Sequence, residues 1–292
     1  MERSVLGIIG GSGLYDIPGL VDVREVQCRS PWGEPSDVLR HGRLNGRDVV
    51  FLPRHGRGHR LSPSDINYRA NIDALKRVGV TDILAVSACG SFREDLPPGS
   101  LVLVDQFVDR THRRESSFFG AGCVAHVSMA HPVGPGLQAL VAEAAGLEGL
   151  PITFGGTYVC IEGPQFSSIA ESLTYRKLGY DVIGMTAMPE AKLAREAEIT
   201  YATLAMVTDF DCWHPEHDHV SVADVVRVMH DNVDKARRLI ARLTTIFPAT
   251  RQACPVGAHI ALEHAIMTAP QSRDPALLEK LNSVAGRVLR EK

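Results

Sequence analysis

One stretch, residues 181–213, constrains the chain more than any other. An apolar run ends at Gly184 and gives way to Met185 and Thr186; a second, 199–207, gives way to Thr208, Asp209 and Asp211. Between them, residues 189–197 read as a helix with Pro189 at its first position, where a missing N–H breaks no helical bond. The order is strand, helix, strand, with polar groups at both strand ends. In open α/β sheets, ligands sit beyond those ends. Asp209 and Asp211 together at one of them predict a binding site there.

The rest of the chain keeps the alternation. Apolar runs at 5–9, 48–52, 82–86, 101–104 and 157–161 predict buried strands. Turn signals at 30–33 and 44–46 predict a β-hairpin within 20–47. Ser62, followed by Pro63, predicts a helix cap with a helix running to Gly79. Residues 137–145 and 168–178 read as further helices. Ser221 and Asp224 resemble a capping box opening a long amphipathic helix, with Val222, Val225, Met229, Val233, Leu239 and Leu243 on its apolar side. Alternating strands and helices predict one α/β domain over residues 1–247. After a linker at 247–255, the tail predicts two amphipathic helices separated near 270–275. This extension, 248–292, is too short for a core of its own. It is expected to pack on the same domain or on a neighbouring subunit.

Composition excludes several classes. The net charge of -3 gives no global attraction to nucleic acid or an anionic membrane. No apolar run reaches the ~18 residues that a membrane-spanning helix needs. The N-terminus enters a strand-like run at once, so no signal peptide is expected. The six cysteines are dispersed without a C-x-x-C pair, which suits a reducing cytoplasm.

Several groups are candidates for chemistry. The turn 10–13 has three glycines around Ser12, so backbone N–H groups and a hydroxyl can approach an anion. It lacks the third glycine of a dinucleotide fingerprint and the Gly-Lys pair of a Walker loop. A plain tight turn is the alternative. Beyond the strand at 48–52, Arg54 and His55 open a glycine-punctuated loop that also holds Arg57, His59 and Arg60. Guanidinium groups match phosphate oxygens, so this loop reads as an anion site or as a solvated basic loop. Ser87 and Ala88 are small, as a ligand against the backbone requires. Cys89 reads as a small buried hydrophobe. Phe166 is either core or the wall for a planar ring. The His-rich run 214–219 has residue types that bind zinc, but the spacing fits no single helical face. A solvated loop over a pocket is the better reading, and no metal is expected.

Taken together, these motifs form a recognisable set. They are residues 7–13, Arg54 to Arg57, 67–71, 87–91, 105–110, 161–167, 184–186, 188–190 and 208–213, in that order. Over roughly residues 4–245 the chain resembles the trimeric purine nucleoside phosphorylase family, on the branch that cleaves methylthioadenosine. The resemblance implies a single α/β domain with a mixed central sheet flanked by helices. It implies phosphate-dependent cleavage of S-methyl-5′-thioadenosine, with no metal or organic cofactor and phosphate as co-substrate. It places phosphate at Ser12, Arg54, His55, Ser87, Ala88 and Thr186. It places Met185 against the ribose, and Asp209 and Asp211 at the purine. Phe166 and Ser167 line the pocket, and Val222 and Val225 its 5′ end. His126 is expected to reach a neighbouring subunit's pocket in a homotrimer.

Chemistry explains the set. Breaking the N9–C1′ bond leaves positive charge on the sugar and negative charge on the purine, and both must be stabilised. Asp209 is the candidate acid for N7, which requires a raised pKa. Carboxylates accept from a 6-amino group, whereas a 6-oxo group presents an acceptor. The pair therefore favours adenine over hypoxanthine. A phosphorylase for methylthioinosine or inosine is the nearest rival. A dinucleotide-dependent oxidoreductase would need an acidic residue such as Glu25 at a second strand end, but the run at 21–26 lacks a buried strand's character. A binding module without turnover is the third reading.

Overall fold

The computed structural model describes residues 2–14, 17–215 and 222–290, and their side chains apart from those of Ser12, 222–225 and 227. Its strands are β1 (Leu6–Gly10), β2 (Val21–Val26), β3 (Leu39–Leu44), β4 (Arg47–Pro53), β5 (Asp82–Ser91), β6 (Leu101–Val104), β7 (Gln106–Asp109), β8 (Thr153–Phe154), β9 (Thr157–Cys160), β10 (Val182–Gly184) and β11 (Thr200–Asp209). Its helices are α1 (Tyr68–Arg77), α2 (Pro135–Leu147), α3 (Ile169–Lys177), α4 (Ala187–Glu196), α5 (Val222–Ile246) and α6 (Pro275–Leu289).

Strand side chains alternate between two faces, and each face builds a core. In β5, Ile83 and Ala85 join a cluster with residues of α1, α4 and α6. Leu84 and Val86 join a second cluster with residues of α2 and α5. The result is one mixed sheet covered on both faces, as the resemblance implies.

β5 organises the sheet and leaves a gap in it. On one edge it pairs with β11, parallel, from Asp82 to Gly90. On the other edge it pairs with β1, parallel, only as far as Ala85. Pairing on that edge resumes at Gly90, now antiparallel with β10. Between Ala85 and Gly90 the backbone of β5 lacks a strand neighbour on that side among the described residues. Backbone polar groups without a ladder partner must find another. The gap is therefore where side chains, and a ligand, can meet the sheet.

Three local expectations differ from the structure. The helix after Ser62 starts later: Asn67 is the cap, accepting from the Ala70 N–H, and α1 begins at Tyr68. Ser62 instead closes a tight turn, its hydroxyl donating to Asp65 at 2.6 Å. Residues 20–47 hold the antiparallel pair β2–β3 with an irregular stretch between, and the tight hairpin joins β3 to β4 through Asn45 and Gly46. The tail has one helix, α6, not two. Residues 258–260 and 270–272 form only short 3₁₀ turns. Gly257, in the left-handed region at φ 70°, bends the chain where the first helix was expected to start.

The tail is fastened to the domain through Glu198, which is buried and itself has a positive φ of 55°. Arg287 of α6 donates to both carboxylate oxygens at 2.7 Å, and the Leu262 N–H donates at 2.9 Å. Leu281, Val284 and Ala285 of α6 complete the α1/α4 core. Glu198→Ala is expected to release this latch. Amide exchange across residues 258–289 should accelerate at least ~10-fold, while β5 and β11 stay protected. Equal protection in both proteins would show that apolar packing alone holds the tail.

Candidate active site

Four strand ends converge on the gap in β5. β1 delivers the turn at 11–14, β4 delivers Arg54 and His55, β10 delivers Met185 and Thr186, and β11 ends at Asp209. They enclose a cavity of about 370 Å³ that also reaches Met229 and Val233 of α5.

Arg54 is only 2% exposed. Its Nε and Nη2 donate to the two oxygens of Glu190 at 2.8 and 2.9 Å. Nη1 donates to the Val86 carbonyl at 3.0 Å, in the gap, and Nη2 also to Ile9 O at 3.4 Å. Four of the five guanidinium hydrogens are thus engaged, leaving one on Nη1 for a ligand. Burial opposes the charge, but the Glu190 carboxylate more than offsets it and holds the group protonated. His55 is the opposite case. Burial dominates, and the Arg54, His59 and Arg114 charges add to it, so its pKa falls to about 4 despite a 2.9 Å bond between Nδ1 and Leu61 O. That carbonyl fixes the proton on Nδ1 of the neutral ring.

Ser87 and Ala88 lie in the gap itself, and Ser87 Oγ is buried without a hydrogen-bond partner among the described residues. Thr186, 6% exposed, is the N-cap residue of α4. Regular helix resumes only at Pro189, because Met188 is extended at φ −118° and ψ 136°. So Arg54, His55, Ser87, Ala88 and Thr186 all line one cavity, whereas the Ser12 side chain lies outside the described residues.

The other end of the cavity is built on Asp209 and Asp211. Thr208 Oγ1 donates to one Asp209 oxygen at 2.7 Å, and the Asp211 N–H to the other at 2.8 Å. Both favour the carboxylate. Burial outweighs them, with the neighbouring Asp211 charge in the same direction, and raises the pKa of Asp209 to about 6. Burial also raises that of Asp211. Asp211 takes a positive φ of 52°, which turns the chain back so that its N–H meets Asp209. The turn is pinned from behind by Trp213, whose indole N–H donates to Ser91 O at 2.7 Å and whose ring stacks edge-on against Phe210.

Gly90 is required for this geometry. A Cβ there would stand 2.8 Å from Asp209 Oδ1 and 3.2 Å from the Asp211 nitrogen. Gly90→Ala is expected to displace both carboxylates and lower kcat/KM by about 10²-fold, the scale of an ångström-sized misplacement. The far-ultraviolet circular dichroism should not change. Full activity in the variant would show that the carboxylate positions are not critical.

Phe166, Ser167 and Met185 line the same cavity. A buried network holds the two loops that carry them. Arg114 Nη1 donates to the carbonyls of Met185 and Met188, both at 2.6 Å, and Nη2 donates to Glu162 O at 2.7 Å. Burial pushes the Glu162 carboxyl up. Donors from Ser64 and from the backbone of His112 and Arg113, with the Arg114 charge, outweigh that and take it down to about 2.

His126 does not line this cavity. It is exposed, on a loop whose backbone pairs with the tail: His126 N–H to Ala265 O and Met267 N–H to Val124 O, both 2.9 Å. The side chains of Val222 and Val225 lie outside the described residues, as do residues 216–219 of the His-rich run. Among the described residues, no cluster of His, Cys, Asp and Glu could hold a metal ion. No helix among them is long and apolar enough to cross a membrane.

Comparison with known proteins agrees with this geometry. The model of the phosphorylase superfamily matches residues 5–245. An S-methyl-5′-thioadenosine phosphorylase of Bradyrhizobium diazoefficiens is 67% identical over 99% of this chain and 100% of its own. The chain belongs to the S-methyl-5′-thioadenosine phosphorylase family. Another member, from Rhodospirillum rubrum, is 60% identical over 99% of this chain and 98% of its own. The crystal structure of a methylthioadenosine phosphorylase from an Antarctic soil metagenomic library superposes with a TM-score of 0.91, at 46% identity, covering 97% of this chain and 99% of that one. The Schistosoma mansoni enzyme in complex with adenine gives 0.82 at 38% identity, covering 93% and 99%.

Against that family background, the sequence left several members of the site without a role. Glu190 is the main one. It sits three and four residues before Leu193 and Ala194, both fully buried. A carboxylate on such a helix face needs a cation, which is the signal that would have paired it with Arg54. Thr208, Gly90 and Arg114 carried no comparable signal.

Proposed function

We propose that this chain cleaves S-methyl-5′-thioadenosine with inorganic phosphate, giving adenine and 5-methylthioribose 1-phosphate. The observation that carries the reading is one cavity with two unlike ends. One end gathers donors around the gap in β5. The other presents Asp209, a carboxyl with a pKa of about 6. An acid of that strength is still protonated in about one molecule in ten at pH 7, far more than an ordinary aspartate, and can release that proton to a purine.

The steps balance without a further reactant. A phosphate oxygen forms the bond to C1′ as the N9–C1′ bond breaks. Asp209 donates its proton to N7, and adenine leaves neutral. The proton lost by hydrogen phosphate restores Asp209, so one hydrogen passes overall from phosphate to base and the sugar product is a phosphate dianion. Phosphate is held by the free Nη1 hydrogen of Arg54, by the hydroxyls of Ser12, Ser87 and Thr186, and by backbone at Ala88. The Glu190 counter-charge means that hydroxyl and backbone donors carry much of that work. Met185 covers the ribose, Phe166 and Ser167 the base, and Val222 and Val225 the methylthio group. No metal or organic cofactor takes part. The enzyme works as a cytoplasmic homotrimer in which His126 enters a neighbouring pocket.

The test is purine release from purified protein, with and without phosphate, from methylthioadenosine, methylthioinosine and adenosine. Phosphate-dependent release, fastest from methylthioadenosine, supports the reading. A buried 5′-hydroxyl without a partner would cost roughly 1–3 kcal/mol, which predicts adenosine at least ~5-fold slower. Preference for methylthioinosine would overturn the role given to the two carboxylates.

A further inference from the structure

Behind the carboxylate end lies a group of buried oxygens that the steps above leave without a role. Asp211 Oδ2, Ser167 Oγ and Ser172 Oγ are all shielded from solvent, and none closes a hydrogen bond of good geometry among the described residues. Buried polar atoms without partners cost about 1–3 kcal/mol each, so a cluster of them needs an explanation.

α3 sharpens the question. Its apolar side chains point outward: Ile169 is 52% and Leu173 49% exposed. Its one buried side chain is the hydroxyl of Ser172, at 0% exposure. Tyr175 packs the later part of the helix against Phe92 and its cluster, so apolar contact seats that part, while the first turn buries only a hydroxyl. Its start is fixed by a capping box, Ser168 with Glu171, which places Ser172 one turn inside. Burial raises the Asp211 pKa, and the Ser172 and Ser167 hydroxyls beside the carboxyl work against that rise. Cys212, next in the chain, donates its thiol to Ser167 O at 3.3 Å and so ties the two loops together.

The protonation of Asp211 decides what it can recognise. As a carboxylate it is an acceptor only; as a carboxylic acid it is also a donor. A 6-aminopurine offers a donor, a 6-oxopurine an acceptor. Among the described residues, Asp209, Glu171, Tyr175 and Cys212 interact with Asp211, and all are acidic groups; the nearby cations are engaged elsewhere, Arg110 with Tyr175 and Arg176 over the Trp213 ring at 3.9 Å. Hydroxyl and backbone donors are then what favours the charged form.

We propose that Ser172 is a positioning residue for base selectivity, holding Asp211 as an oriented carboxylate acceptor for the exocyclic amino group of a 6-aminopurine. It touches neither base nor sugar and acts through Asp211. Ser167 contributes from the cavity wall and Ser172 from beneath. Oδ2 is the shielded oxygen on the serine side, and the amino group is accepted by the other oxygen of Asp211, which lines the cavity. This inference rests on the phosphorylase reading above and adds a determinant to it.

The experiment measures kcat/KM for methylthioadenosine and methylthioinosine, at saturating phosphate, from pH 5 to 9. It compares the natural protein with Ser172→Ala, and with Ser172→Cys, which keeps the volume but has only a weak donor. Loss of the hydroxyl raises the Asp211 pKa. The acidic limb for methylthioadenosine should therefore move to higher pH, and the preference for the 6-amino substrate should fall about 10-fold or more. A serine that only seats the helix would lower stability and both activities together. An unchanged ratio and an unmoved limb, in whichever variant folds, overturn the proposal. If the natural protein releases no purine from either nucleoside, the phosphorylase reading fails instead, and the two failures are distinct.

Discussion

Asp209→Asn is expected to lower kcat for adenine release by about 10²–10⁴-fold, the range associated with a positioned general acid. The amide keeps the volume, and its oxygen can still accept from the Asp211 N–H while its NH2 faces Thr208 Oγ1, whose proton can turn to the Cys89 carbonyl. It has no proton to give to N7. The pH profile supplies the second test. An acid acts in its protonated form, and burial holds Asp209 at about 6. Raising the pH through that value removes the active form, so kcat should fall by up to about tenfold per unit on the alkaline side. In the asparagine variant this limb should disappear along with most of the rate. If kcat survives within a factor of a few, or the limb persists, proton donation belongs to another group and Asp209 only binds the base.

The site was legible where the chain announces strand ends, and less so where distant segments meet. Asp209 could be read as a site residue because a long apolar run stops there and polar residues start. Arg54 and His55 follow a strand in the same way. What the sequence could not show was their state. The partner that neutralises Arg54 is 136 residues away, so a loop that looks like an open anion clamp is a buried ion pair with one hydrogen to spare. Ser172 was hidden for a related reason. In a helix with exposed Ile169 and Leu173, periodicity points to the wrong face. Local signals also competed. Ser62 and Asn67 are both capping residues, and the structure uses the later one. In the tail, the apolar residues between 258 and 266 follow a helical spacing, yet Leu262 is held by Glu198 and residues 265–267 pair by backbone with 124–126, which no spacing rule detects.

Glu190→Ala is the second large effect, and it falls on stability before it falls on chemistry. Glu190 is 1% and Arg54 2% exposed, and Tyr201 Oη also donates to Glu190, at 2.9 Å. Removing one partner of a buried pair leaves the other charge uncompensated, at a cost on the order of 3–5 kcal/mol. For a chain of this length, that corresponds to a fall of roughly 10 °C in the thermal midpoint. The uncompensated guanidinium faces the cavity, so phosphate becomes its replacement partner. Phosphate binds only the folded state, so it should raise the midpoint more in the variant than in the natural protein. Arg54→Met with Glu190→Leu removes both charges and fills the space. That double variant should recover most of the lost stability, because apolar replacement of a buried pair is often neutral. It should not recover phosphate-dependent turnover. Recovery of both would mean that the pair serves only the fold. A thermal midpoint within a degree of the natural protein in Glu190→Ala would mean that the guanidinium finds another partner, and the assignment of Glu190 as its counter-charge would be wrong.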